Sequence, residues 1–312
     1  MHEILHCMAG SRIPMVLAVG NRSVFAPHGM HCDHTDTMSQ RDTGWLQLYC
    51  STVQEVLDTI IQAFKIAEHK DVKLPTMVCY DGYFLTHSLE RVDVPAQEQV
   101  DAFLPPYAPG ELDHLEPGGI PLFTSFAYFD NWYMEFKYQQ RMAEERAKRV
   151  IEDVDKEFAD RFGRRYGGLI DVHRVSDADV VLVMMGSMAA TAKYAINVMR
   201  EAGKRVGLIR VKSFRPFPKE ALLETLGNSS VKSVVVLDRF FHEALFSEVR
   251  SALWSLRNSL LMMGVMCGIN GRDVNPYNMI DLAERGFEAI ARGSVEEEVA
   301  MYMVRKREEA EA

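Results

Sequence analysis

Paired cysteines, long apolar runs, clustered basic residues and glycine-rich phosphate fingerprints are all missing from this chain. Its five cysteines, at positions 7, 32, 50, 79 and 267, include no CxxC pair and no ferredoxin-type run. The chain is therefore not expected to carry an iron–sulfur cluster of its own. Scattered, odd-numbered thiols suit a reducing compartment, where cysteine serves mainly as a small buried hydrophobe. No window reaches the apolar length of a membrane helix, and the start, Met1-His2-Glu3-Ile4-Leu5, lacks the basic region and apolar core of a signal peptide. The reading is cytoplasmic, with no membrane partner. Lys and Arg number 35 against 44 Asp and Glu, a net charge of -9, which argues against a nucleic-acid surface because phosphate neutralisation needs clustered cations. The run Arg161 to Arg165 is too short to change that. With GxGxxG absent, Gly186-Ser187 reads as a packing and helix-capping turn rather than a dinucleotide site.

What is present is ordinary globular material: 312 residues, 47% hydrophobic and 25% charged, enough for two cores. Residues 1–95 read as a helix ending at Gly10, a strand at 15–19, a long polar loop, a strand at 46–49, a helix from Thr52 to His69 and a strand at 76–80. In that helix Val53, Val56, Leu57, Ile60, Ile61 and Phe64 form a 3.6-residue stripe, with Glu55 at capping-box distance from Thr52. Three strands are only half of a doubly wound layer. Residues 96–168 read as a Pro-rich arm followed by a charged helical linker, exposed and bridging. Residues 169–295 alternate strand and helix regularly, which predicts right-handed crossovers and a parallel sheet. Residues 296–312 read as a charged helix or tail. The fold class is α/β.

The polar loop is the most informative segment. The apolar run Met15 to Val19 ends at Gly20, and residues dense in His, Asp, Arg and Asn follow until Leu46; in open α/β sheets ligands lie beyond the carboxyl ends of strands. Asn21, Asp33, His34 and Asp36 are candidates for an active-site loop. Arg22, just past the strand, can clasp a carboxylate through two parallel hydrogen bonds or pair structurally with Asp33, Asp36 or Asp42, and the residues alone leave both roles open. His31, Asp33, His34 and Asp36 match no zinc or iron spacing, so no metal is assigned to them. Asp81-Gly82, with Thr86 and His87, marks either a tight turn or a cleft edge. Gly268 and Gly271 permit close backbone approach, and Arg272 and Asp273 are expected to fix a domain interface.

Five stretches carry a resemblance: Asn21-Arg22-Ser23-Val24-Phe25-Ala26-Pro27; Met77-Val78-Cys79-Tyr80-Asp81-Gly82-Tyr83 with Thr86-His87; Phe214-Arg215-Pro216-Phe217-Pro218; Val236-Leu237-Asp238-Arg239; and Gly268-Ile269-Asn270-Gly271-Arg272-Asp273-Val274. In this order they resemble the 2-oxoacid:ferredoxin oxidoreductases, most closely the α subunit of the multi-subunit pyruvate:ferredoxin type. The resemblance implies a partial thiamine-diphosphate-binding-type α/β domain followed by a parallel α/β domain similar to the C-terminal domain of transketolase. It implies oxidative decarboxylation of a 2-oxo acid to acyl-CoA and CO₂, with CoA as co-substrate and electrons passing to ferredoxin or flavodoxin. Arg22 would then touch the substrate carboxylate, and Asp33 and His34 would border the cofactor or the β-subunit contact. Thiamine diphosphate would be held through Mg²⁺ by the β subunit, since no GDG…N motif occurs here; iron–sulfur clusters would sit in partner chains among β, γ and δ.

The resemblance also places a cofactor-activating glutamate and a substrate-touching threonine upstream of this sequence. The expectation is a first domain lacking its N-terminal part, and a chain inactive by itself. Two alternatives stand beside this reading: a non-catalytic assembly or interaction subunit, and another thiamine-dependent 2-oxoacid enzyme that uses no ferredoxin.

Overall fold

Residues 1–108 and 132–305 are described by a computed structural model of the chain. The middle of the Pro-rich arm, 109–131, and the end of the tail, 306–312, lie outside the described residues. The first unit runs α1 (His2–Gly10), β1 (Val16–Asn21), α2 (Thr35–Met38), β2 (Leu46–Cys50), α3 (Val53–Glu68), β3 (Thr76–Asp81), α4 (Gln97–Phe103) and α5 (Tyr133–Phe162). The second runs β4 (Ile170–His173), β5 (Val180–Met184), α6 (Met188–Glu201), β6 (Val206–Val211), β7 (Ser213–Arg215), α7 (Lys219–Gly227), β8 (Ser233–Asp238), α8 (Ala244–Ala252), β9 (Leu261–Met266), α9 (Pro276–Arg292) and β10 (Val299–Met301).

Two sheets result. The second has the order β10-β9-β8-β5-β6-β4, parallel except for β4. Its central strands β5, β6 and β8 are buried at every position, as continuous Val, Leu and Ile runs require when helices cover both faces. The first sheet has the order β1-β3-β2-β7. Sequence reading finds three of these strands; the fourth, β7, comes from the second unit and pairs antiparallel with β2. The second unit thus lends the first a strand, and Lys212, between β6 and β7, accepts a bond from the Tyr49 N–H at 2.7 Å. At the opposite edge β1 pairs only with β3 among the described residues, and Leu17 and Ala18 stay exposed.

The helix α3 corrects the predicted stripe. Thr52 caps it by accepting from the Glu55 N–H at 3.2 Å, but the buried face is Glu55, Asp58, Thr59, Gln62, Ala63, Ile66 and Ala67. Of the apolar stripe, Val56, Ile60 and Ile61 pack half-buried against the core and Phe64 is 43% exposed. Ion pairs explain why the carboxylate side is the more buried. Glu55 meets Arg210 of β6 at 2.8 Å and Lys212 at 3.6 Å, both cations buried. Asp58 takes a two-point grip from Arg164, at 2.6 and 3.0 Å, and a bond from the Tyr166 hydroxyl at 2.6 Å. Burial alone would raise the Glu55 carboxyl, but Arg210, Lys212 and two bonds from Ser51 outweigh it and hold its pKa below the ordinary value.

The charged segment expected to bridge in solvent is likewise packed. One face of α5, through Ala143, Ala147, Val150, Ile151, Val154 and Phe158, joins a core with Leu46, Leu48, Ile66 and Phe103; Gly163, at positive φ, ends the helix as its left-handed cap. The segment expected as a tail contributes β10, an edge strand beside β9.

Candidate functional site

Strands β1 and β3 run parallel in register, Asn21 beside Asp81, so the ends of both strands and the segments after them share one edge of the sheet. The close fit there depends on Gly82, whose N–H donates to the Asn21 carbonyl at 2.9 Å and whose position leaves no room for a Cβ against that oxygen. Arg22 follows the last residue of β1. Its backbone N–H is held by Asp36 Oδ2 at 3.0 Å, and the same carboxylate accepts from Asn21 Nδ2 at 2.8 Å and from the Thr37 N–H at 2.7 Å. Burial pushes the Asp36 carboxyl up despite these neutral donors.

The guanidinium of Arg22 is exposed and has no partner among the described residues. None of the three carboxylates considered as its ion-pair partners reaches it. Asp33 is engaged by the Ser23 hydroxyl at 2.6 Å and the Thr35 N–H at 2.9 Å, Asp36 is occupied as above, and Asp42 faces Arg41 and Arg215 at 3.7 and 3.6 Å. Thr86 stands beside this strand end: a Cβ added to Gly20 would lie 3.4 Å from its methyl group. Thr86 Oγ1 accepts from the Tyr83 N–H at 2.8 Å and meets His87 Nδ1 at 2.7 Å. His87 and His31 flank the Tyr83 ring, with centroids 5.2 and 4.5 Å away, so Tyr83 and His31 join the site although no spacing in the sequence marks them.

Asp81 ends β3 at a turn, and His34 packs against it. Asp81 is fully buried where the two units meet, not at an open cleft edge. Its Oδ1 accepts from His34 Nε2 at 2.9 Å, and its Oδ2 from Arg239 Nη1 at 2.6 Å and the Ser187 N–H at 2.8 Å, with the Ser187 hydroxyl also bonded to Oδ2. The Gly186-Ser187 turn at the start of α6 therefore receives a carboxylate of the first unit, with backbone N–H and helix N-terminus facing an anion. A Cβ on Gly186, which has φ +68, would approach the Asp81 oxygens to 2.8 and 2.9 Å. Desolvation would raise the Asp81 carboxyl; Arg239, His34 and Ser187 reverse this and hold it well below the usual carboxylate range.

Cys32, His34 and Asp81 bring potential ligand atoms within 4.8 Å of one another. They do not form a metal centre's donor set. Arg239 Nη1 stands 3.5 Å from Cys32 Sγ and 2.6 Å from Asp81, putting a fixed cation where an ion would sit, and burial pushes the Cys32 thiol up and away from the thiolate that binds metal.

Among the described residues Arg272 and Asp273 make no polar contact between the units. Arg272 bonds the Met303 carbonyl and Asp273 is exposed. The turn just before them does: the Gly271 N–H donates to the Cys32 carbonyl at 2.7 Å, and Asn270 Oδ1 lies 3.2 Å from Ser23 Oγ. On the same side the His34 N–H donates to the Arg239 carbonyl at 3.0 Å.

Comparison with known proteins agrees with this arrangement of two α/β units. Residues 1–156 match the family model described as "Pyruvate flavodoxin/ferredoxin oxidoreductase, thiamine diP-bdg", and residues 178–279 match "Pyruvate:ferredoxin oxidoreductase core domain II". Pyruvate synthase subunit PorA of Methanocaldococcus jannaschii is 43% identical over 280 residues, 88% of this chain and 70% of the relative. Ketoisovalerate oxidoreductase subunit VorA of Pyrococcus horikoshii is 39% identical over 310 residues, 98% of this chain and 77% of the relative. Among solved structures, 2-oxoglutarate:ferredoxin oxidoreductase from Magnetococcus marinus, with 2-oxoglutarate, coenzyme A and succinyl-CoA bound, superposes with a TM-score of 0.57 at 14% identity. This chain is covered to 91% and spans 50% of that one, a likeness of fold alone. On the sequence matches, the chain belongs to the pyruvate:ferredoxin oxidoreductase family.

Proposed function

We propose that this chain is the α subunit of a 2-oxoacid:ferredoxin oxidoreductase that converts pyruvate, or a close 2-oxo acid, to acyl-CoA and CO₂. The observation that carries the reading is Arg22, whose side chain has no protein partner among the described residues and whose backbone is pinned at the carboxyl end of a parallel strand. A guanidinium placed this way grips a carboxylate at two points. Such a charge-assisted bond contributes about 1.5–3 kcal/mol, enough to orient a small acid. Thr86 and His87 border the same strand end and would line the approach.

Bound thiamine diphosphate supplies the nucleophilic carbon and the sink for the electrons left by departing CO₂. The residues of this chain fit a neighbour of that cofactor rather than its metal cradle: Asp33, Asp36 and Asp81 are all consumed by internal donors. Mg²⁺ and the diphosphate would be held by the β subunit, and the iron–sulfur clusters that lead to ferredoxin or flavodoxin would sit in partner chains among β, γ and δ. CoA takes the acyl group, and the assembly works in the cytoplasm; among the described residues no helix is long and apolar enough to cross a membrane.

The test is the complex assembled with its partner subunits, followed by ferredoxin reduction with pyruvate, 2-oxoglutarate, 2-oxoisovalerate and oxalate. CoA-dependent reduction with pyruvate is expected. Preference for the branched acid would change the substrate and keep the reaction class, whereas no CoA-dependent reduction with any of the four would overturn the proposal.

A further inference from the structure

The loop that carries Arg22 is held from outside its own unit. After β1 it runs out through exposed Val24 and Phe25 and returns through His31 to Asp33. Its own bonds across the base are few: the Ser23 N–H donates to the His31 carbonyl at 3.2 Å, and the Ser23 hydroxyl to Asp33 at 2.6 Å. Further contacts come from the turn at Gly268–Gly271 of the second unit.

In that turn Gly268, Asn270 and Gly271 all have positive φ, at 70°, 49° and 69°, a region where glycine is unstrained and asparagine is tolerated. This backbone aims the Asn270 side chain into the loop, 3.2 Å from Ser23 Oγ, and so close to Gly29 that a Cβ on that glycine would strike the Asn270 amide. The Gly271 N–H bonds the Cys32 carbonyl at 2.7 Å, and a Cβ on Gly271 would meet the His31 side chain. Gly29 is buried although the loop residues around it are exposed, because Asn270 fills the space inside the loop.

We propose that Asn270, on the Gly268–Gly271 turn, is a positioning residue that sets the loop geometry from which Arg22 meets the substrate carboxylate. The inference rests on the reading of Arg22 given above. It assigns a kinetic role to the second unit: its turn supplies the mould, and the first unit supplies the charge. Small errors in the placement of a two-point grip are costly because both hydrogen bonds depend on one orientation.

Asn270→Gly removes the amide and keeps a residue suited to φ +49°. In the assembled complex this variant should raise KM for the 2-oxo acid roughly three- to tenfold, the scale of one lost polar contact. Its thiamine diphosphate activation constant should be unchanged, and backbone amides between residues 23 and 33 should exchange hydrogen faster. Gly29→Ala attacks the same contact from the loop side, because its Cβ would strike the Asn270 amide, covers a failure of the first variant to fold, and should behave alike. Arg22→Ala in parallel separates the two layers of argument. A raised KM in Arg22→Ala beside wild-type KM and wild-type exchange in both other variants overturns the positioning role alone. A wild-type KM in Arg22→Ala overturns the substrate reading and the inference with it.

Discussion

The Asp81 carboxylate of β3 and the Arg239 guanidinium just past β8 meet at 2.6 Å across the junction of the two units, both side chains buried. Because neither charge can recover its hydration if the other is removed, Asp81→Ala or Arg239→Met should destabilise the chain by about 3–5 kcal/mol. The double variant should lose less than the sum, since it strands no charge. Denaturant unfolding of the three proteins measures this. Additive losses would mean that the pair is not coupled.

Glu55 and Arg210 form the second junction, and they should make stability sensitive to acid. In the unfolded chain Glu55 titrates near its ordinary 4.5, whereas in the folded protein Arg210 and Lys212 hold it lower. Below about pH 4.5 the unfolded state takes the proton first, so the contribution present at neutral pH is lost as pH falls through the folded value. Glu55→Gln removes it at every pH and leaves two buried cations short of a partner. The expected result is a variant less stable than wild type by about 3–5 kcal/mol at neutral pH, the gap narrowing on acidification. A gap independent of pH, measured by denaturant melts, would contradict the assignment.

Asp238 should act in the opposite sense. Burial raises its carboxyl from 3.8 to about 7, against the Leu245 and Phe246 N–H groups and nearby His34, which favour the charge, while Glu243 opposes it. Oδ2 accepts from the Leu245 N–H at 2.6 Å, and Oδ1 has no partner. Here the folded state binds the proton more tightly, so stability is full below the unfolded value and declines as pH rises toward 7. Asp238→Asn keeps an oxygen for Leu245 without the buried charge. Its Tm should exceed that of wild type at pH 8, the gap closing as pH falls toward the unfolded value of 3.8; a lower Tm at pH 8 would show that the carboxylate is needed as an anion at the start of α8.

Much of the second sheet was legible because its strands are buried on both faces and read as unbroken apolar runs between helices. The long polar loop was legible for the converse reason, as no core pattern accounts for residues 21–45. What could not be read depended on distant partners. The stripe Val53, Val56, Leu57, Ile60, Ile61 and Phe64 is the more apolar side of α3, yet Arg210, Lys212 and Arg164, more than a hundred residues away, draw the carboxylate side inward. The short strand β7 has too few residues to show alternation and is defined by its pairing with β2. At the site, Asp81 carried a sound turn signal that concealed its contact with Arg239, and Arg272 was one residue beyond the turn that makes the contact. The glycines were the usable clue: Gly268 and Gly271 around Asn270 mark close approach, although not what is approached.

Arg22→Lys tests the site itself. Lysine retains the charge but offers a compact ammonium in place of the planar two-point donor. The Asp36 bond to the residue 22 N–H is a backbone contact at 3.0 Å and survives the change, and no side-chain partner is lost among the described residues. Stability should therefore stay within about 0.5 kcal/mol of wild type, as for an exposed substitution. In the complex, kcat/KM for the 2-oxo acid should fall roughly ten- to a hundredfold, equivalent to the loss of one charge-assisted bond in the transition state. The affinity for thiamine diphosphate should hold. Steady-state kinetics and thermal melts on the same preparations decide between the two roles first open to this residue: an unchanged kcat/KM with a lowered Tm would return Arg22 to the scaffold, because a structural cation acts through folding and a substrate cation through turnover.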